Sequence, residues 1–201
     1  MRINREDIRN IAIIAHVDHG KTSLIRALTG RNTDRLKEEQ ARGITIDLGF
    51  TWFDLKDGTR AGIIDVPGHE KFINNMVSGV VGMDLVLMVV AADEGIMPQT
   101  KEHLNILELL GIKKTILVIN KCDLVEKDWL NLVKEDLNEE LKGSIMENAP
   151  MVCVSSMTGE GIDELKSVIV NMIRDELEEK DINTIARLPV DRVFTLSLIH
   201  I

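Results

Sequence analysis

The chain has 201 residues, 44% hydrophobic and 28% charged, with 33 acidic against 24 basic side chains and a net charge of -9. That length closes one sizeable core with chain to spare, the mixture of apolar and charged residues excludes a disordered polymer, and the acidic balance excludes capture of nucleic acid by bulk charge. The most apolar stretch, Leu85 to Ala92, is far shorter than the roughly 18 residues of a membrane span, and Met1 is followed by Arg2, Asn4, Arg5 and Glu6 instead of an apolar leader. A cytoplasmic protein with no membrane partner is expected.

Runs dense in Ile and Val alternate with helix-period segments, the pattern of a mostly parallel sheet covered by helices on both faces. The first strand, Ile11 to His16, feeds a helix over Lys21 to Leu28 through Ala15-His16-Val17-Asp18-His19-Gly20-Lys21-Thr22. This is a phosphate-binding loop whose first Gly is replaced by Ala15, which requires a backbone conformation that Ala can reach. Backbone N-H groups from His16, Val17, Asp18, His19 and Gly20 through Ser23 point at phosphate oxygens in such a loop. Lys21 reaches the β and γ phosphates and the Thr22 hydroxyl ligates Mg²⁺.

Next come strands over Ile46 to Phe53 and Ala61 to Asp65, joined by an Asp57-Gly58 hairpin turn, so this pair alone is expected to be antiparallel. Ahead of them, Arg42-Gly43-Ile44-Thr45-Ile46 offers Thr45 as a second hydroxyl for Mg²⁺ when a γ phosphate is present, which makes the segment a switch. Asp65-Val66-Pro67-Gly68 closes the third strand. Asp65 is placed to hold a water of the Mg²⁺ shell, and Gly68 to offer its N-H to a γ phosphate. His69 follows at the start of a helix over Glu70 to Ser78; its imidazole is positioned to orient an attacking water or to stabilise charge on the transferred phosphoryl, and the sequence leaves its protonation open. No arginine of this chain is identifiable as a charge-stabilising finger, so intrinsic turnover should be slow.

A strand over Leu85 to Ala91, a helix over Gln99 to Leu110 and a strand over Thr115 to Asn120 lead to Asn120-Lys121-Cys122-Asp123. The Asp123 carboxylate can accept both N1-H and the N2 amino hydrogens of guanine, a pairing adenine does not offer, with Asn120 on the opposite edge and the Lys121 stem over the ring. After a helix over Trp129 to Leu141 and a strand over Met151 to Ser155, the turn Ser155-Ser156-Met157 sits where a backbone N-H meets the guanine O6, or is an ordinary strand-to-helix turn. The cofactors implied are GTP or GDP with Mg²⁺. Cys122 and Cys153 lie far apart without metal spacing, so they read as small core residues and a disulfide framework is excluded.

A helix over Ile162 to Lys180 completes a domain of residues 1–181, a P-loop GTPase with a six-stranded sheet. Residues 182–189 read as a linker, and 190–201 as the truncated first strand of a β-barrel domain. Leu196 to Ile201 matches the translation of a sequencing-library adaptor, and some or all of it is expected to be artefact.

In this order the motifs resemble the translational GTPases, and within them the selenocysteine-specific elongation factors. The resemblance runs from Ile8 to Thr195 and rests most on Thr33 to Glu39, Thr45-Ile46-Asp47-Leu48-Gly49-Phe50 and Gly68-His69-Glu70-Lys71-Phe72-Ile73-Asn74-Asn75-Met76. It implies a monomer that delivers selenocysteyl-tRNA to the ribosome, hydrolyses GTP when the ribosome docks His69, and reads an mRNA hairpin through a C-terminal region absent here. It makes His69 and Lys21 catalytic, Val17 and Ile44 an apolar gate, and Asp191 and Arg192 part of the aminoacyl pocket, where a guanidinium would favour an ionised selenol. A general elongation or initiation factor, and a GTP-gated adaptor with incidental hydrolysis, remain alternatives.

Overall fold

The computed structural model describes residues 8–33, 45–54, 60–80 and 82–176. Six strands form one sheet in the order β2-β3-β1-β4-β5-β6. They are β1 (Ile8–Ala15), β2 (Gly49–Asp54), β3 (Arg60–Asp65), β4 (Leu85–Ala91), β5 (Thr115–Asn120) and β6 (Met151–Cys153). Every pairing is parallel except β2 with β3, where Gly49 opposes Asp65. The antiparallel pair is the expected one, although the Asp57-Gly58 turn itself lies outside the described residues.

The helices are α1 (Lys21–Thr29), α2 (Ile73–Val80), α3 (Pro98–Leu109), α4 (Lys127–Glu140) and α5 (Ile162–Asn171). Alternation along the central strands supplies two cores. Ile11, Ile13 and Ala15 pack with Leu24, Ile25 and Leu28 of α1 and Leu165 and Ile169 of α5. Ala12 and Ile14 pack instead with Met76 and Val80 of α2, Leu107 of α3, and Val133 and Leu137 of α4. This two-sided burial is why β4 and β5 are apolar at nearly every position and buried throughout.

The first strand, expected from Ile11 to His16, runs from Ile8 to Ala15, and the last helix, expected to reach Lys180, ends as α5 at Asn171. Three other boundaries shift for local reasons. β2 starts at Gly49 instead of Ile46, because Thr45 turns into the site and the Ile46 carbonyl accepts from Asn75 Nδ2 at 3.3 Å. The helix expected from Glu70 begins as a 3-10 turn, Glu70–Phe72, before α2. β6 ends at Cys153, since Ser155 N-H leaves the ladder to donate to Glu160 O at 2.9 Å. Beyond α5 a π turn covers Met172–Glu176. The linker, the second-domain strand with Asp191 and Arg192, the region 34–44 with Ile44, and the boundary at 181 lie outside the described residues.

Because β1 lies between β3 and β4, the loop after β1 emerges where the crossovers diverge to opposite sides of the sheet. In open α/β sheets that is where ligands bind.

Candidate functional site

The carboxyl ends of β1 and β3 enclose a cleft of about 240 Å³. His16, Val17, Asp18, Gly20, Lys21, Thr22 and Ser23 from the first loop line it together with Thr45, Gly68 and His69. Ala15 causes no conflict. It is the last residue of β1 and fully packed, and the positive φ angles fall further on, at Asp18 (65°) and Gly20 (78°). Gly20 caps α1 without a side-chain hydrogen bond, which leaves the first-turn N-H groups directed at the cleft. Gly68 lies so close to the loop that a Cβ there would stand 2.1 Å from Ala15 O, so the two segments meet backbone to backbone.

The polar groups of this end are paired with one another. Lys21 Nζ donates to the buried carboxylate of Asp65 and to Thr45 Oγ1 at 2.8 Å, and Thr33 Oγ1 donates to the other Asp65 oxygen at 2.6 Å. Thr22 Oγ1 and Thr45 Oγ1 are 3.4 Å apart. Neighbouring ligands on an octahedral Mg²⁺ stand about 2.9 Å apart, so the two hydroxyls need only a small adjustment to share one ion. Among the described residues no group of three or more His, Cys, Asp or Glu could hold a metal. The pair of hydroxyls 3.4 Å apart, with the Asp65 carboxylate bonded to Lys21 and Thr33 next to them, is a set of hard oxygen donors that fits Mg²⁺.

His69 lines the cleft half-buried. Its Nδ1 accepts from Lys71 N at 3.2 Å, so a neutral ring carries its proton on Nε2, and its edge meets Phe72 at a centroid distance of 6.0 Å. The helix-start role and the cleft-facing role thus coexist in one residue. His19 contributes to the loop through its backbone alone. Its ring is fully buried, with Nδ1 against Val89 O at 3.2 Å and Nε2 at 3.6 Å from Glu94, and burial holds its pKa below the usual histidine value.

At the ends of β5 and β6 the buried side chain of Asn120 joins three segments. Its Nδ2 donates to His19 O at 2.9 Å and to Gly20 O at 3.4 Å, while its Oδ1 accepts from Ser156 N at 3.1 Å and Ser156 Oγ at 2.8 Å. Asn120 therefore fixes the phosphate loop against the 155–157 turn. Lys121 holds a φ of 60° and reaches Asp93 and Glu94 at 3.4 and 3.1 Å. Asp123 is exposed on the following 3-10 turn, Cys122–Leu124. Ser155 is buried, its Oγ accepting from Thr158 N at 3.1 Å, and both its own N-H and that of Ser156 are engaged within the protein.

Sequence reasoning missed Thr33 and Glu94 as site-building groups. Each is an ordinary loop residue locally, and only the sheet order brings Thr33 to Asp65 and Glu94 to His19 and Lys121.

Residues 6–175 match the family described as elongation factor Tu GTP binding domain. The chain is 58% identical over 181 residues to a selenocysteine-specific elongation factor of Desulfomicrobium baculatum, covering 90% of this chain and 28% of that protein. The crystal structure of a bacterial selenocysteine-specific elongation factor, EF-Sec, superposes with a TM-score of 0.78 at 45% identity, covering 82% of this chain and 28% of that one. Elongation factor SelB from Methanococcus maripaludis, in complex with the GTP analogue GppNHp, superposes with a TM-score of 0.73 at 34% identity, over 85% of this chain and 34% of that one. The chain thus spans under a third of the length of the curated relative it matches.

Proposed function

Since the chain belongs to the family of the elongation factor Tu GTP-binding domain, with a P-loop GTPase fold, we propose that it is the nucleotide-hydrolysing part of a selenocysteine-specific elongation factor. It binds GTP with Mg²⁺, hydrolyses the γ phosphate when docked on the ribosome, and through the longer protein delivers selenocysteyl-tRNA. The observation that carries this reading is Asn120, whose amide holds the phosphate loop and the 155–157 turn in one unit, so that Asp123 follows at a set offset from the phosphate cradle. That a relative 58% identical and a superposing structure 45% identical are both selenocysteine-specific elongation factors supports selenocysteine over ordinary aminoacyl-tRNA.

Each residue has a part in the work. The phosphate loop N-H groups and the α1 N-terminus bind the phosphates, and Lys21 leaves Asp65 to neutralise the β and γ oxygens. Thr22 and Thr45 would hold Mg²⁺, with Asp65, released from Lys21, holding one of its waters. When bound there, the ion would supply neutralisation of phosphate charge. Gly68 N-H faces the γ phosphate. His69 orients the attacking water from its Nε2 edge, and the ribosome completes its placement. Asp123 accepts from guanine, and contact of O6 with the Ser156 N-H requires that group to exchange Asn120 for the base. Asp191 and Arg192 belong to the selenocysteine pocket, and the mRNA hairpin is read by a C-terminal region. The protein works as a monomer in the cytoplasm.

Protection of the ester bond decides the specificity. The full-length protein with GTP should slow hydrolysis of selenocysteyl-tRNA well beyond that of seryl-tRNA. Equal protection of the two overturns the selenocysteine reading and leaves a general factor.

A further inference from the structure

The sequence separates Cys122 from Cys153, yet the fold brings them together. The β5-β6 pairing sets Ile119 against Cys153, and three residues on, Cys122 N donates to Val154 O at 3.1 Å. Both side chains pack against the same core cluster, each close enough to act on the other's proton affinity, and Cys122 S-H donates to Ile119 O at 3.1 Å. Both side chains are partly exposed and rest against the core on the α4 side, where Lys134 stands beside Cys153. The two small core residues expected from the sequence do pack against the core, and the fold also makes them neighbours, with Cys122 inside the segment read as holding guanine.

We propose that Cys122 and Cys153 form a reversible disulfide, made by exchange with a small-molecule disulfide, that weakens guanine-nucleotide binding by displacing the Lys121-to-Asp123 turn. This rests on the reading of Asp123 as the guanine acceptor.

The chemistry assigns an order to the two sulfurs. The adjacent Cys122 thiol, outweighing burial and helped by Lys134, pulls the Cys153 thiol down to about 6, while the same contact pushes Cys122 up. Cys153 is thus the thiolate that attacks one sulfur of the oxidant, forming a mixed disulfide and expelling one small thiolate. Once the Cys153 sulfur carries no charge, the influence that raised Cys122 disappears. Cys122 then loses its proton to solvent, attacks the Cys153 sulfur and expels the second small thiolate. The protein gives up two electrons and two protons, and the oxidant is reduced to two thiols.

The mechanical consequence follows from where Cys122 sits. It lies between Lys121, already held at a positive φ, and the exposed Asp123. Drawing its sulfur from contact to covalent distance pulls the Cys122–Leu124 turn toward β6. The carboxylate moves with it, whereas Asn120, anchored to His19, Gly20 and Ser156, stays.

The test uses the full chain, oxidised glutathione, intact and peptide mass spectrometry, and titration with fluorescent GDP. The expected result is a Cys122–Cys153 cross-link lighter by two hydrogens, GDP affinity lowered about tenfold, and recovery of both with reductant. Cys153→Ser should bind GDP as the reduced protein does and ignore the oxidant. A glutathione adduct that persists without cross-linking, or no reaction at either sulfur, overturns the disulfide. Cross-linked protein with undiminished GDP binding overturns the control of the loop alone. Reduced protein that binds no GDP overturns the guanine reading itself, and mass spectrometry then still decides whether the bond forms.

Discussion

The two ends of the nucleotide site are built on opposite plans. At the end proposed to hold phosphates, Lys21, Asp65, Thr33 and Thr45 satisfy one another, so in the proposed function phosphates and Mg²⁺ would replace a buried ion pair and its hydrogen bonds. At the base end, Asn120 is committed to backbone groups on either side, and Asp123 is left at the surface facing outward. A buried charge is costly unless paired, which is why Lys21 and Asp65 hold each other. An exposed carboxylate has no such need and can wait in place. The phosphate end is thus a set of exchangeable pairs suited to sensing a γ phosphate, and the base end a rigid frame suited to selection.

The contrast can be broken most sharply at His69. His69→Ala should leave GTP affinity within a few fold, because no phosphate-pairing group is touched, while ribosome-stimulated hydrolysis falls roughly 10²- to 10⁴-fold. Rapid-quench measurement on the full-length protein checks this, and retained stimulation removes His69 from the chemistry.

Acid should also act on the phosphate end first. His103 of α3 is buried, and burial, with His16 and His19 nearby, lowers its pKa from 6.5 to about 4. The unfolded chain takes up this proton before the folded one. The contribution to stability is therefore complete above pH 6.5 and lost as the pH falls toward 4, up to about 3 kcal/mol. Urea unfolding between pH 7 and 4 should show that decline, and His103→Leu should flatten it. A slope that His103→Leu leaves unchanged would mean that His103 takes up its proton alike in the folded and unfolded chain.

The base end is probed by Asn120→Ala, which strands the His19 and Gly20 carbonyls and the Ser156 donors together. GTP and GDP should weaken alike, by about 100-fold, or near 3 kcal/mol. Equal loss for both nucleotides marks a frame; a loss confined to GTP would place Asn120 with the exchangeable pairs instead.

The segments of the proposed site were legible from residue order. Gly20-Lys21-Thr22, Asp65 to Gly68 and Asn120 to Asp123 are each contiguous, and Gly20, Lys21, Thr22 and Gly68 do line one cleft, since backbone donors and a helix start are local structures. The six strands were legible for the same reason: β4 and β5 are apolar runs whose length alone sets them apart from helices. Less legible were the ends of elements. Ser155 looks like the last residue of a strand until Glu160 is seen to take its N-H, and Ile46 looks like a first one until Thr45 is seen bonded to Lys21.

What the order of residues determined alone is a sheet wound with one reversed edge, and what it proposes is the kind of chemistry: a phosphate cradle, two hydroxyls for a divalent ion and a carboxylate for guanine. What only the tertiary structure decided is who pairs with whom. Asp65 meets Thr33, Asn120 meets His19 and Ser156, and Cys122 meets Cys153 because strands distant in sequence become neighbours in the sheet. Propensity and periodicity act over a few residues, whereas such pairings depend on strand order and register, which are settled only when both faces of the sheet bury their apolar side chains at once.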